Sequence, residues 1–233
     1  MPFIGFDPTF VLMIPALAFA FWAQWKVKST YSKFAQVPAA NGLSGRDMAR
    51  AIMQRNAVEG VNIEQVGGTL SDHYDPGAHM VRLSSDIYSG NSIAAIAVAA
   101  HEVGHVLQHQ QGYVPLQLRS SFAPAAGLGS SLAMPLFFIG LIFGPRMPFS
   151  GVLMDLGILF FAGAVLFHFV TLPVEFDASK RALRQLTESG AVMPQEVAGA
   201  KQVLDAAALT YVAAAAMAAL QLLRLVLLRG NRR

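Results

Sequence analysis

The sequence contains no cysteine. That excludes disulfides, thiolate nucleophiles and thiolate metal sites, so any metal must be held by His, Asp or Glu. Charge is scarce as well. Asp, Glu, Lys and Arg make up 13% of the 233 residues, and hydrophobic residues reach 54%. Soluble domains carry about 25% charged residues. A chain this poor in charge cannot cover a water-facing surface of ordinary polarity, and it reads as a membrane protein. Its net charge is only +3, with the basic residues scattered at the borders of apolar runs. They lack the clustering on one face that nucleic-acid binding requires, so no such partner is expected. They suit the flanks of membrane spans instead. Internal repeats are absent, and alanine enrichment of the last apolar run is the one compositional bias.

Four apolar runs, at residues 10–25, 122–143, 151–172 and 206–228, approach the ~20 residues that a bilayer core demands. The first is short and interrupted by Pro15; it reaches back to Phe3 if Asp7 sits at the interface. A cleaved signal peptide fits it poorly. No basic segment precedes it, and Trp22, Gln24 and Trp25 stand where small residues would be needed. Lys26, Lys28 and Lys33 follow the run, which predicts an anchor with its start outside and its basic flank inside. Residues 144–148 should join the second and third runs as a hairpin. The fourth run carries Gln221 and Arg224 and is followed by Arg229, Arg232 and Arg233. That basic end disagrees with an outside location and leaves a re-entrant or surface helix as the alternative to a span.

Two polar stretches remain, 26–121 and 173–205, and they hold most of the Lys and Arg. The larger reads as α+β. Ser44 can cap a helix over 45–58 that Gly60 stops. Val61 and Ile63 alternate as a short strand. Residues 69–74 and 79–84 flank the turn sequence Asp75-Pro76-Gly77-Ala78 and should form a hairpin. Ser92 can cap the next helix, from Ile93 to about Gln110, which Gly112 ends. The expected fold is a mainly α membrane protein of about four transmembrane helices with a small α+β catalytic unit. Its parts are a transmembrane anchor (1–25), a catalytic α+β region (26–121), a transmembrane hairpin (122–172), a helical region supplying a third ligand (173–205), and a C-terminal transmembrane helix with a basic tail (206–233).

The chemistry lies in His101-Glu102-Val103-Gly104-His105. On a helix, positions four apart share a face, so both imidazoles can address one metal while Glu102 projects beside them. A zinc ion there lowers the pKa of a bound water to roughly 7, and Glu102 can take its proton and pass it to the leaving amine. A chance match on a buried helix is the alternative. It would leave three polar groups buried without purpose after the apolar run 93–100. Catalytic zinc needs a third protein ligand. His109 continues the series but lies ~12 Å along the axis from His101, so the three cannot form a tetrahedral corner. The remaining candidates are His73, Asp75, His79, Asp155, His168, Glu175 and Asp177. Glu175 and Asp177 open the smaller polar stretch on the motif's side of the membrane. Glu175 follows apolar Leu172, Pro173 and Val174 and is flanked by Phe176, which favours it over Asp177.

The runs Asp72-His73-Tyr74-Asp75-Pro76, Val81-Arg82-Leu83-Ser84, Ser92-Ile93-Ala94-Ala95, Val98 to His105, and Leu172 to Ser179 together resemble the YugP-type membrane zinc metallopeptidases, also called neutral zinc metallopeptidases. The order of parts is similar to HtpX-like and CAAX-prenyl-protease-like peptidases. Those place a membrane hairpin between HExxH and a Glu in an E-F/Y-x-A-D pattern. The resemblance implies a gluzincin site with one zinc on His101, His105 and Glu175, and with Ser179 where the pattern has Asp. It also implies that an edge strand just upstream of the motif helix pairs with the substrate backbone. Residues 79–84 could be that strand or an ordinary core strand. His73, Tyr74 and His168 are candidates for stabilising an oxyanion, and Asp155 and His168 are ionisable residues within a span.

The expectation is a zinc-dependent endopeptidase of the cell's inner membrane, facing the cytoplasm and acting on membrane-associated or misfolded polypeptides. The rival is a non-catalytic adaptor whose zinc is closed by four protein ligands. Because both polar stretches must reach one zinc, they should share a compartment. Single cysteines at Ser44 and Gln195, in a chain that has none of its own, should label from the same side of the membrane. Labelling from opposite sides would sink this topology.

Overall fold

A computed structural model describes residues 8–69, 71–144, 147–190 and 192–231. Phe3 and Asp7 of the N-terminal extension, Pro145 and Arg146 of the hairpin link, and Arg232 and Arg233 of the tail lie outside them. The chain divides into two units, one of residues 1–22, 118–172 and 211–233, the other of 23–117 and 173–210.

The second unit holds the sequence motif. Its helices include the end of α1 (Met13–Ala35), then α2 (Gly45–Arg55), α3 (Ser85–Tyr88) and α4 (Ile93–Gln110). Ser44 caps α2 as expected: its Oγ accepts from the Asp47 amide at 3.1 Å and donates to the Asp47 carboxylate at 2.6 Å. The helix stops at Arg55 rather than 58. Asn56 Nδ2 donates to the Ile52 carbonyl at 2.8 Å, and Ala57 turns left-handed at φ +50°. These close the helix before Gly60 is reached.

Three strands form one sheet: β1 (Asn62–Val66), β2 (His73–Asp75) and β3 (Met80–Ser84), in the order β1-β3-β2. β2 and β3 are the expected hairpin, and Asp75 builds its turn by accepting the Gly77 and Ala78 amides at 2.9 and 3.0 Å. Its first arm is shorter than 69–74. Asp72 precedes the strand, and its carboxylate accepts both the amide and the hydroxyl of Ser84. β3 pairs with β1 in parallel and with β2 in antiparallel. The expected strand over 79–84 is thus the central strand β3, with His79 left in the turn at φ +50°; on the hairpin side, the edge is β2.

α4 begins at a Ser92 cap that accepts from the Ala95 amide at 3.1 Å. Its first half, Ile93 to Ala100, is buried at every position but Val98. A helix apolar on all sides belongs at the centre of a core. α2, the sheet, Ala182 and Leu186 of α6 (Ser150–Glu188), and Ala200, Val203 and Leu204 of α7 (Pro194–Gly230) join it in one cluster. α6 passes through Pro173 without a break, so the third apolar run and about half of the smaller polar stretch are a single helix. At Gly104 the backbones of α4 and α6 nearly touch. A Cβ there would lie 2.5 Å from the Ala178 carbonyl oxygen.

The first unit holds α5 (Val114–Phe143) from residue 118 on, with the apolar ends of α1, α6 and α7. Among the described residues, four helices are long and apolar enough to cross a membrane. The fourth run belongs to the unbroken 37-residue α7, without the break that a re-entrant turn needs. Glycines let α5 and α6 approach: a Cβ at Gly157 would meet the Ala133 oxygen at 2.7 Å. Asp155 forms a two-point ion pair with Arg229, Nε and Nη2 lying 2.8 and 3.0 Å from its two oxygens. Paired charges of this kind are how spans tolerate ionisable residues.

The Gly104 contact generates a test. In an isolated helix, Gly→Ala is favourable by about 1 kcal/mol. At Gly104 the added methyl meets backbone, and overpacking of this kind costs about 1–3 kcal/mol. Gly104→Ala should lower the melting temperature and the zinc content of the purified protein together. An unchanged Tm with full zinc would show that α4 and α6 can separate freely.

Candidate active site

α4 supplies His101, Glu102 and His105, and α6 supplies Glu175 across the Gly104 contact. One Glu175 carboxylate oxygen, Oε2, lies 3.2 Å from His101 Nε2 and 3.6 Å from His105 Nε2. The two imidazoles stand edge to face, with centroids 4.8 Å apart. Among the described residues, these three are the one group whose ligand atoms converge within 4.8 Å. The spacing suits zinc. Two ligand atoms each about 2.0–2.2 Å from a tetrahedral ion lie roughly 3.3–3.6 Å apart. The donor set, two imidazole nitrogens and a carboxylate oxygen, is also one that zinc accepts.

The site is nearly dry. Glu175 is 2% exposed, Glu102 7% and His105 8%. Burial alone would raise the Glu175 pKa; hydrogen bonds from His101 and His105 overcome it and hold that carboxyl well below the ordinary range. Glu102 is compensated far less. Burial pushes its carboxyl up to about 7, partly opposed by His101 and aided by the charge of Glu175, while the Tyr74 backbone amide hydrogen-bonds it.

Each imidazole is held from behind. His101 Nδ1 lies 3.1 Å from Ser179 Oγ, the position where the resembling pattern has Asp. His105 Nδ1 lies 2.9 Å from Gln108 Oε1. Gln108 is fully buried, and its Nε2 donates to the Val174 carbonyl at 2.8 Å and to Asp177 Oδ2 at 2.9 Å. Sequence reasoning overlooked both Gln108 and the packing role of Gly104. A glutamine three residues past His105 in an otherwise apolar turn was the available signal for the first. Gly104 had no local signal, because the backbone it meets is 74 residues away.

The other candidate ligands are used elsewhere. Asp177 pairs with Arg181 and receives Gln108. Asp75 builds its turn and pairs with Arg82 at 2.7 Å. His73 Nδ1 lies 2.8 Å from the Ser71 carbonyl. His109 Nδ1 meets the Tyr74 hydroxyl at 2.8 Å, and its ring lies against His79 at 5.5 Å. Tyr74, His79 and His109 line a cleft of about 220 Å³ with Val106 of α4. Asp155 and His168 fall in the other unit.

Comparison with known proteins agrees with this chemistry. Residues 9–230 match the family described as "Putative neutral zinc metallopeptidase". The chain is 47% identical over 222 residues to the "Putative membrane protease YugP" of Bacillus subtilis (strain 168), covering 95% of this chain and 96% of that protein. No solved structure matches. A match of this extent takes in the catalytic unit and all four apolar helices: the chain belongs to the neutral zinc metallopeptidase family and is a membrane zinc metallopeptidase.

Proposed function

We propose that the chain is an endopeptidase of the gluzincin type, in which His101 Nε2, His105 Nε2 and a Glu175 oxygen hold one zinc ion and Glu102 moves the protons. The spacing of 3.2 and 3.6 Å between the Glu175 oxygen and the two imidazoles carries this reading. A zinc ion held there would polarise a scissile carbonyl and activate a water for attack. These residues offer it three protein donors, whereas a closed structural site uses four.

Glu102 accepts a proton from the attacking water at its carboxylate and delivers it to the amide nitrogen as the C–N bond breaks. A carboxyl raised to about 7 is suited to both steps, since each protonation state is accessible near neutral pH. The Tyr74 amide orients it. β2 offers the edge on which a substrate backbone could add as a further strand, a mode that recognises main chain rather than sequence. Such binding suits membrane-associated or misfolded polypeptides, reached from the cytoplasmic face of the inner membrane. The division into an anchor, catalytic region, hairpin, ligand-bearing segment and final span is part of the same reading.

Glu102→Gln should keep zinc and Tm while peptide hydrolysis falls by about 10²–10⁴-fold. Activity within about tenfold of wild type would remove Glu102 from the proton transfers.

Zinc content tests the ligand set. Glu175→Ala should lose metal beyond the ~10–100-fold typical of contacts behind the ligands, and His109→Ala should keep it. A zinc-replete Glu175→Ala protein would show the third ligand to lie elsewhere.

A further inference from the structure

Gln108 is a wholly buried polar side chain that metal binding does not itself employ. Its surroundings leave it one orientation. Val174 offers a carbonyl oxygen and Asp177 a carboxylate oxygen, both acceptors only, at 2.8 and 2.9 Å from one amide terminus. That terminus must be the NH₂, with each hydrogen used once. The opposite terminus is then the oxygen, and it faces His105 Nδ1 at 2.9 Å. An oxygen there can only accept, so Nδ1 must carry the proton. In neutral imidazole, the Nε2 lone pair is then free for the metal that Glu175 would share. A flipped amide would set its oxygen against two acceptors and lose both of those bonds, even if its NH₂ donated to an unprotonated Nδ1.

His101 has no equivalent constraint. Its Nδ1 meets a hydroxyl, which can donate as readily as accept. The chain behind His105 also extends further. Asp177 is gripped by Arg181, which itself donates to Gln111 on the turn that ends α4. α4 and α6 are therefore stitched together one turn beyond the ligands, and the stitch ends on a ligand nitrogen.

We propose that Gln108 is a positioning residue for the metal: anchored by Val174 and Asp177, it sets His105 with its proton on Nδ1 and its Nε2 lone pair toward zinc. This rests on reading His105 as a ligand, and that reading has its own test. A His105→Ala protein that keeps zinc would end it whatever Gln108 does.

The experiment measures zinc affinity of the full-length protein by competition with a chromophoric chelator. Gln108→Leu fills the same space without hydrogen bonds and should weaken zinc by ~10–100-fold. Ser179→Ala should cost less, because the hydroxyl does not dictate a tautomer. Asp177→Asn keeps an acceptor for Gln108 and should stay near wild type, whereas Asp177→Leu should fall toward Gln108→Leu. Zinc affinity unchanged in Gln108→Leu, or a larger loss in Ser179→Ala, overturns the proposal. Should Gln108→Leu fail to fold, the wild-type protein decides. With ¹⁵N-labelled histidine and zinc bound, His105 should show a slowly exchanging Nδ1 proton in contact with the Gln108 amide protons. A His105 Nδ1 proton that exchanges as fast as that of an exposed imidazole overturns the assignment.

Discussion

A carboxylate and two imidazoles must meet inside a packed apolar core, and the approach of α4 to α6 at Gly104 is what lets them. Glu175 emerges from a stretch where Val174 and Ala178 are completely buried. An isolated buried carboxylate costs several kcal/mol even after relaxation, and the cost is offset only by close partners of opposite charge. The zinc that His101 and His105 would share with Glu175 supplies that charge, and the two imidazoles lie 3.2 and 3.6 Å away. Any side chain at position 104 would force the helices apart and leave the charge uncompensated. The close contact, the burial and the metal geometry are thus one constraint seen from three sides.

Rigidity follows from the same packing. All three side chains positioned to bind a metal sit on long helices rather than loops, and sites on such elements hold their geometry better. α4 is fixed at one end by an apolar half with hardly an exposed position and at the other by the Gln108–Asp177–Arg181 bonds. Glu102 lies between these anchors, turned toward β2 rather than toward the histidine supports. Burial raises its proton affinity, while nearby Glu175 is driven the other way by its imidazoles. Two carboxylates in one small volume are driven to opposite proton affinities by what surrounds each, which suits the separate roles proposed for them.

Several polar residues that could have been ligands prove to have local structural tasks. Asp75 shapes a turn, Asp72 ties the hairpin to Ser84, and Asp155 neutralises Arg229. None of these tasks can be excluded from composition or spacing, since a carboxylate in a turn and a carboxylate on a metal have the same letter. Ser179 shows the converse. It stands where the family pattern has Asp, and its hydroxyl lies 3.1 Å from His101 Nδ1.

Short-range periodicity was enough to read the four apolar helices, the Ser44 and Ser92 caps, the hairpin about Asp75 and the shared face of His101 and His105. Each of these depends on residues within a few positions of one another, where helix and strand geometry leave little choice. The end of α2 was misread because Asn56 and Ala57 closed it before the stronger signal at Gly60. The central place of β3 depends on β1, which reaches it in parallel from outside the hairpin. The supports of His105 and the passage of α6 past Gly104 join positions about 70 residues apart. Such contacts follow from which backbones can approach and which buried polar atoms then need partners, and only the folded chain decides that.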